Sequence, residues 1–63
     1  MHTKESWIKA AIDTLIVTQD VDEAQARSMA QEFLGNTVAD YGSDWVHTIP
    51  SEQVKRYIRA ESL

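Results

Sequence analysis

The chain has 63 residues, a formal net charge of −4 and no cysteine, with 43% hydrophobic and 25% charged residues. This length allows a single domain, and the lack of cysteine excludes disulfides and cysteine-based zinc sites. Because a domain of this size buries only about 60% of the surface of its unfolded chain, we expect a partner to contribute to its stability.

The first predicted helix covers residues 3–18, with Thr3 or Ser6 as its cap. Its apolar side chains form two adjacent rows at helical spacing: Trp7, Ala11 and Leu15, and Ile8, Ile12 and Ile16. Trp7 is expected at the edge of this surface. Together the rows cover more than the ~100° that a surface helix needs. This helix is therefore expected to be central in the fold or to contact a second copy of the chain.

The second predicted helix covers residues 21–41. Asp20 is expected to cap it, with Glu23 as the partner in a capping box. The apolar pattern keeps its phase through Gly35, which favours one continuous helix that stops at Gly42. The alternative is a helix that ends at Leu34, with Gly35 as its stop.

Residues 43–50 form a connection with some strand character that is expected to pack down on the core. The third predicted helix covers residues 51–61, with Ser51 as its cap after Pro50. Its apolar stripe consists of Val54, Tyr57 and Ile58.

These elements predict an all-α fold, a small three-helix domain that spans residues 1–63. The first two helices should form an antiparallel hairpin, because their connection is short, and the third should pack across it. The predicted core contains Ile8, Ala11, Ile12, Leu15, Met29, Ala30, Phe33, Leu34, Val54, Tyr57 and Ile58. The surplus apolar surface of the first helix favours a homodimer.

Four residues are predicted to bind a partner: Trp45, Lys55, Arg56 and Arg59. The three cations share one face of the third helix, where they could contact an acidic protein or a phosphate. The alternative is a solvated face whose cations the helix dipole favours. Trp45 could be an interface anchor, because tryptophan is enriched at binding hot spots, or a plug over the open end of the core.

The acidic residues around position 20 do not complete a metal site. Asp20 and Asp22 begin like a calcium-binding loop, but Gln25 and Gln31 occupy the positions that need glycine and glutamate. The chain has two histidines, which are too few for a zinc centre. We therefore predict no metal and no cofactor.

No pattern in the chain is typical of an enzyme. Ser43, Asp44 and His47 are the residue types of a catalytic triad, but they are near neighbours without a nucleophile elbow or an oxyanion loop. No glycine-rich phosphate loop is present either. The sequence therefore predicts a protein that is not an enzyme and has no catalytic residues.

The leading hypothesis is a small cytoplasmic regulator, inhibitor or accessory subunit that binds another protein, of a size common in phages and mobile elements. No apolar run approaches the ~20 residues of a membrane span, and the start lacks signal-peptide features. One alternative is a nucleic-acid-binding module that uses the third helix, although the acidic remainder should repel phosphates. Another is an acidic mimic of nucleic acid that inhibits a DNA-binding protein.

Overall fold

The computed structural model describes residues 1–62 and contains three α-helices, which confirms the predicted all-α domain. They are α1 (Lys4–Gln19), α2 (Glu23–Tyr41) and α3 (Pro50–Glu61), and a 3₁₀ helix, Gly42–His47, joins α2 to α3. No strand occurs among residues 1–62. Leu63, which the predicted domain includes, lies outside the described residues.

The start of α1 is fixed by a reciprocal capping box. The backbone N–H of Ser6 donates to Thr3 Oγ1 at 3.1 Å, and the backbone N–H of Thr3 donates to Ser6 Oγ at 3.0 Å. Both predicted candidates therefore take part in the cap, because each satisfies a backbone donor that the first turn leaves free.

The boundary between α1 and α2 differs from the prediction. Asp20 does not cap α2 but ends α1 in a left-handed conformation, with φ 54°, and its N–H donates to Ile16 O at 3.2 Å. Asp22 caps α2 instead, since its Oδ1 accepts from the N–H of Gln25 at 2.7 Å. Aspartate tolerates the left-handed region better than most residues, so the reversal begins at Asp20 and the cap moves two residues on.

The helix α2 runs without a break through Gly35, as the phase of its apolar residues predicted. Its C-cap is Gly42, which has a φ of 60°. Residues with a Cβ rarely adopt this backbone conformation. The continuous helix is therefore confirmed, because an internal glycine costs only about 1 kcal/mol when the apolar face around it is buried.

The connection to α3 is helical and has no strand character. It forms the 3₁₀ helix, and α3 then begins at Pro50 directly after Ile49, which has no capping side chain. The predicted cap at Ser51 is therefore wrong. Proline suits the first helical position because its ring presets φ and it has no N–H that would lack a partner there.

The core lies where α1 and α2 pack against each other and α3 packs on both. Its buried apolar residues are Trp7, Ala11, Ile12, Leu15, Ala26, Ala30, Phe33, Leu34 and Val54. Trp7, predicted at the edge of its stripe, is fully buried, and Ala26 was not in the predicted core. Four predicted core residues are only half-buried against this cluster: Ile8, Met29, Tyr57 and Ile58.

We expect the two glycines to respond in opposite directions to substitution by alanine. A Cβ at Gly35 would meet nothing within 4 Å, so Gly35→Ala should raise the free energy of unfolding by about 0.5–1 kcal/mol. Gly42→Ala should lower it by about 1–3 kcal/mol, because alanine is strained at this positive φ. Urea denaturation of both variants checks this, and equal effects would contradict the two backbone assignments.

Candidate functional site

An apolar groove runs between α1 and α2, and we call it the hairpin groove. This open groove has a volume of about 940 Å³. Its apolar lining consists of Ile8, Ile12, Ile16, Leu34 and Val38. Two of these side chains stay well exposed: Ile16 at 39% and Val38 at 38%. No residue of α3 lines the groove, so it lies on the side of the helical hairpin that α3 does not cover.

The thickness of the domain explains why this groove is open. The molecule measures 30 × 27 × 15 Å. Two packed layers of helices need about 13–15 Å between their outermost Cα atoms, because packed axes lie 8–10 Å apart and each helix has a radius of about 2.3 Å. The α1–α2 hairpin is therefore one layer and α3 belongs to the other, and within residues 1–62 no third layer covers the outer side of the hairpin.

The rim of the hairpin groove carries both signs of charge in equal number. Its charged residues are Lys4, Glu5, Lys9 and Asp13 from α1 and Glu23 and Arg27 from α2. Arg27 Nη2 lies 3.6 Å from Glu23 Oε1, a pair one helical turn apart. The rim is thus neutral, and the net charge of −4 belongs to the rest of the chain.

The structure brings together the three cations that the sequence analysis selected, and we call Lys55, Arg56 and Arg59 the basic face. They are exposed on α3 around a depression of about 380 Å³, together with Glu52 and Ala60. Within residues 1–62, none of the three forms a salt bridge. Arg56 Nη1 donates to the hydroxyl of Tyr41 at 2.7 Å, so this cation also ties α3 to the end of α2.

Trp45 does not join the basic face. It lies on the 3₁₀ helix, is half-buried and packs against the core, and it does not line the depression between the cations. This position fits the plug that the sequence analysis gave as the alternative to an interface anchor. The remaining exposed part of the indole is separate from the cations.

A polar cluster joins the last turns of α2 to α3 beneath the basic face. The Tyr57 hydroxyl donates to Asp40 Oδ2 at 2.9 Å and lies 3.4 Å from the hydroxyl of Thr37, which is fully buried. Burial, followed by the nearby Asp40 carboxylate, raises the pKa of Tyr57 above its ordinary value. Gln53 is also buried here, and its Oε1 has no hydrogen-bond partner among residues 1–62.

The residues with catalytic or metal-binding chemistry are dispersed. Within residues 1–62, no group of three or more His, Asp or Glu residues is placed to hold a metal ion. No side-chain hydrogen bond joins Ser43, Asp44 and His47 in this part of the chain, and all three lie on the 3₁₀ helix. None of the helices in the described range combines the length and apolar character that crossing a bilayer requires.

Sequence reasoning did not identify the hairpin groove. The surplus width of the apolar face on the first helix was the available signal, and it points to Ile8, Ile12 and Ile16. The second wall, with Leu34 and Val38, could not be paired with them, because the pairing depends on how α2 rotates against α1.

Comparisons of this chain with known protein families, curated proteins and solved structures find no match.

The phenol of Tyr57 should titrate at higher pH in the folded protein than in the unfolded chain. Because the folded-state pKa is raised, this group's contribution to stability should be complete below about pH 10 and be lost as the pH rises through the folded value. Ultraviolet titration of tyrosinate, with Tyr57→Phe to assign the signal, measures this. A late-titrating signal that persists in Tyr57→Phe would contradict the assignment.

Replacement of Trp45 by alanine should destabilise the fold if the indole is a plug. We expect the free energy of unfolding to fall by about 1–3 kcal/mol, because a half-buried indole would leave part of the core uncovered. Val17→Ala, at a position that is 83% exposed, is the control and should change it by less than about 0.5 kcal/mol. An unchanged stability of Trp45→Ala would instead favour the interface anchor.

Proposed function

We propose that this chain is a small, non-enzymatic protein–protein interaction protein, a cytoplasmic regulator, inhibitor or accessory subunit that acts through its helical surfaces. The observation that carries the proposal is the hairpin groove, where Ile16 and Val38 remain exposed to solvent. A groove between two helices with an apolar lining is a shape that an amphipathic helix of a protein partner can fill. We assign this groove to self-association, with a second copy of the chain as its occupant.

The basic face is then free to contact a target protein. Lys55, Arg56 and Arg59 lie on α3, which does not line the hairpin groove. Their complement is an acidic patch on the target. A patch of this kind contributes mainly to the rate and specificity of association, with modest affinity for each exposed ion pair.

A nucleic acid is the second candidate for the basic face, because exposed cations without salt bridges also suit phosphates. From Lys55 to Arg59 the face extends only about 6 Å along the helix, at 1.5 Å per residue. Double-stranded DNA presents one charge per ~1.7 Å over its whole length. Most of a bound duplex would therefore lie outside the basic face, beside a chain whose net charge is −4. A compact acidic protein patch fits the face better.

The test of the basic face is the double variant Lys55→Ala/Arg59→Ala, which keeps Arg56 because that side chain contacts Tyr41. The target is first captured with the wild-type chain after nuclease treatment, identified by mass spectrometry and purified. We expect the double variant to bind it about three- to tenfold more weakly, because two exposed ion pairs are lost.

The matched control is Ala24→Glu/Ser28→Glu, at two exposed positions of α2 outside both surfaces. Both double variants lower the formal net charge by two from −4, so they separate a local contact from a general charge effect. Equal weakening by the two would contradict a specific basic face. Capture that disappears with nuclease would favour the nucleic-acid alternative.

A further inference from the structure

We infer that the hairpin groove is an isologous interface, in which two copies of this chain pair face to face around a two-fold axis. The inference rests on the proposed function, from which it takes self-association, and it specifies which surface pairs and how.

The charge distribution selects the hairpin groove over the other surfaces. In an isologous pair the same patch is present on both sides, so a patch of one sign repels itself. The basic face would place like charges together, and so would the remaining surface, because the other seven acidic residues lie outside the rim and no further lysine or arginine accompanies them. The rim of the hairpin groove has three cations and three anions, so it can complement itself.

The apolar residues of α1 suit an antiparallel meeting of two identical helices. Ile8, Ile12 and Ile16 recur every four residues and line the same groove, over about 12 Å of helix. With the two-fold axis at Ile12, Ile8 of each copy would oppose Ile16 of the other. Leu34 and Val38 of each α2 would flank this row, so the side chains left exposed in one copy would be covered by the other.

A standard interface would use most of the broad side of the domain, well beyond the hairpin groove itself. A standard protein interface buries about 800 Å² per partner. The broad side of the molecule measures 30 × 27 Å, which is roughly that area, and the whole chain exposes 4242 Å². Pairing across this side would enclose both hairpins as inner layers and leave each α3, with its basic face, on the outside of the dimer.

The experiment compares two adjacent residues of α1 that differ in whether they line the groove. Ile16→Lys places a charge in the hairpin groove, whereas Val17→Lys places the same charge at a neighbouring, more exposed position outside it. Sedimentation equilibrium over a range of concentrations should show that the wild-type chain and Val17→Lys associate to twice the 7.2 kDa chain mass. Ile16→Lys should dissociate about a hundredfold more readily, because the substitution enters the pair twice.

A second groove variant, Val38→Lys, is the control for a local folding defect caused by the substitution at Ile16. It should also weaken association, while circular dichroism shows that both groove variants keep their helical content. The thermal midpoint of the wild-type chain should rise with protein concentration, as expected when folding is coupled to association. Val17→Lys should retain that dependence, and the groove variants should lose it.

The inference is overturned if the wild-type chain is a monomer at every concentration, or if Val17→Lys weakens the pair as much as Ile16→Lys. A monomer that still binds its target through the basic face would overturn the two-fold pair, together with the self-association assigned under the proposed function, and would leave target binding by the basic face in place. Conversely, Lys55→Ala/Arg59→Ala should remain dimeric, so a failure of the basic face leaves this inference intact.

Discussion

The hydrogen bond from the buried indole of Trp7 to Thr48 fixes where the chain runs after α2. Trp7 Nε1 donates to Thr48 Oγ1 at 3.0 Å, and that hydroxyl donates to the carbonyl of Trp45 at 2.6 Å. Trp7 is fully buried, so breaking this link would leave a polar N–H in the core without a partner. The N–H of His2 donates to Val46 O at 2.9 Å and holds the same segment. These bonds bring the start of α3 to the first turn of α1.

This placement gives the hairpin two unlike sides. On one side the row that contains Trp7, Ala11 and Leu15 is fully buried in the core, to which α2 and α3 both contribute. On the other side the row of Ile8, Ile12 and Ile16 lies in the hairpin groove, which no residue of α3 lines. Among residues 1–62, no further helix covers the second side. This one-sided cover therefore follows from the anchoring of α3.

The distribution of charge follows the same division. The basic face lies on α3, whose inner residues pack on the core, and the neutral rim lies on the uncovered side of the hairpin. The hairpin groove and the basic face are thus separate surfaces, and within residues 1–62 no salt bridge engages the cations of the basic face. Because the two can be covered independently, a pair formed through the hairpin groove would present two copies of the basic face to a target. The polar contacts of Arg56 and Tyr57 with α2 hold that face in position.

The three helices and most of the core follow from the sequence alone, because the apolar periodicity, the cap of α1 at Thr3 and Ser6 and the stop at Gly42 act over one or two turns. The caps of α2 and α3 do not, since Asp22 and Ile49 stand where Asp20 and Ser51 were predicted. The sequence also placed the three cations on one face, which needs only the period of the helix. It did not determine the burial of Trp7, because that depends on Thr48, forty-one residues away. The sequence did not predict the second wall of the hairpin groove either, because the contact of Leu34 and Val38 with α1 also joins residues that are distant in the chain. Only the tertiary structure fixes how α2 and α3 rotate against α1, and this rotation decides which apolar row is covered and which stays open.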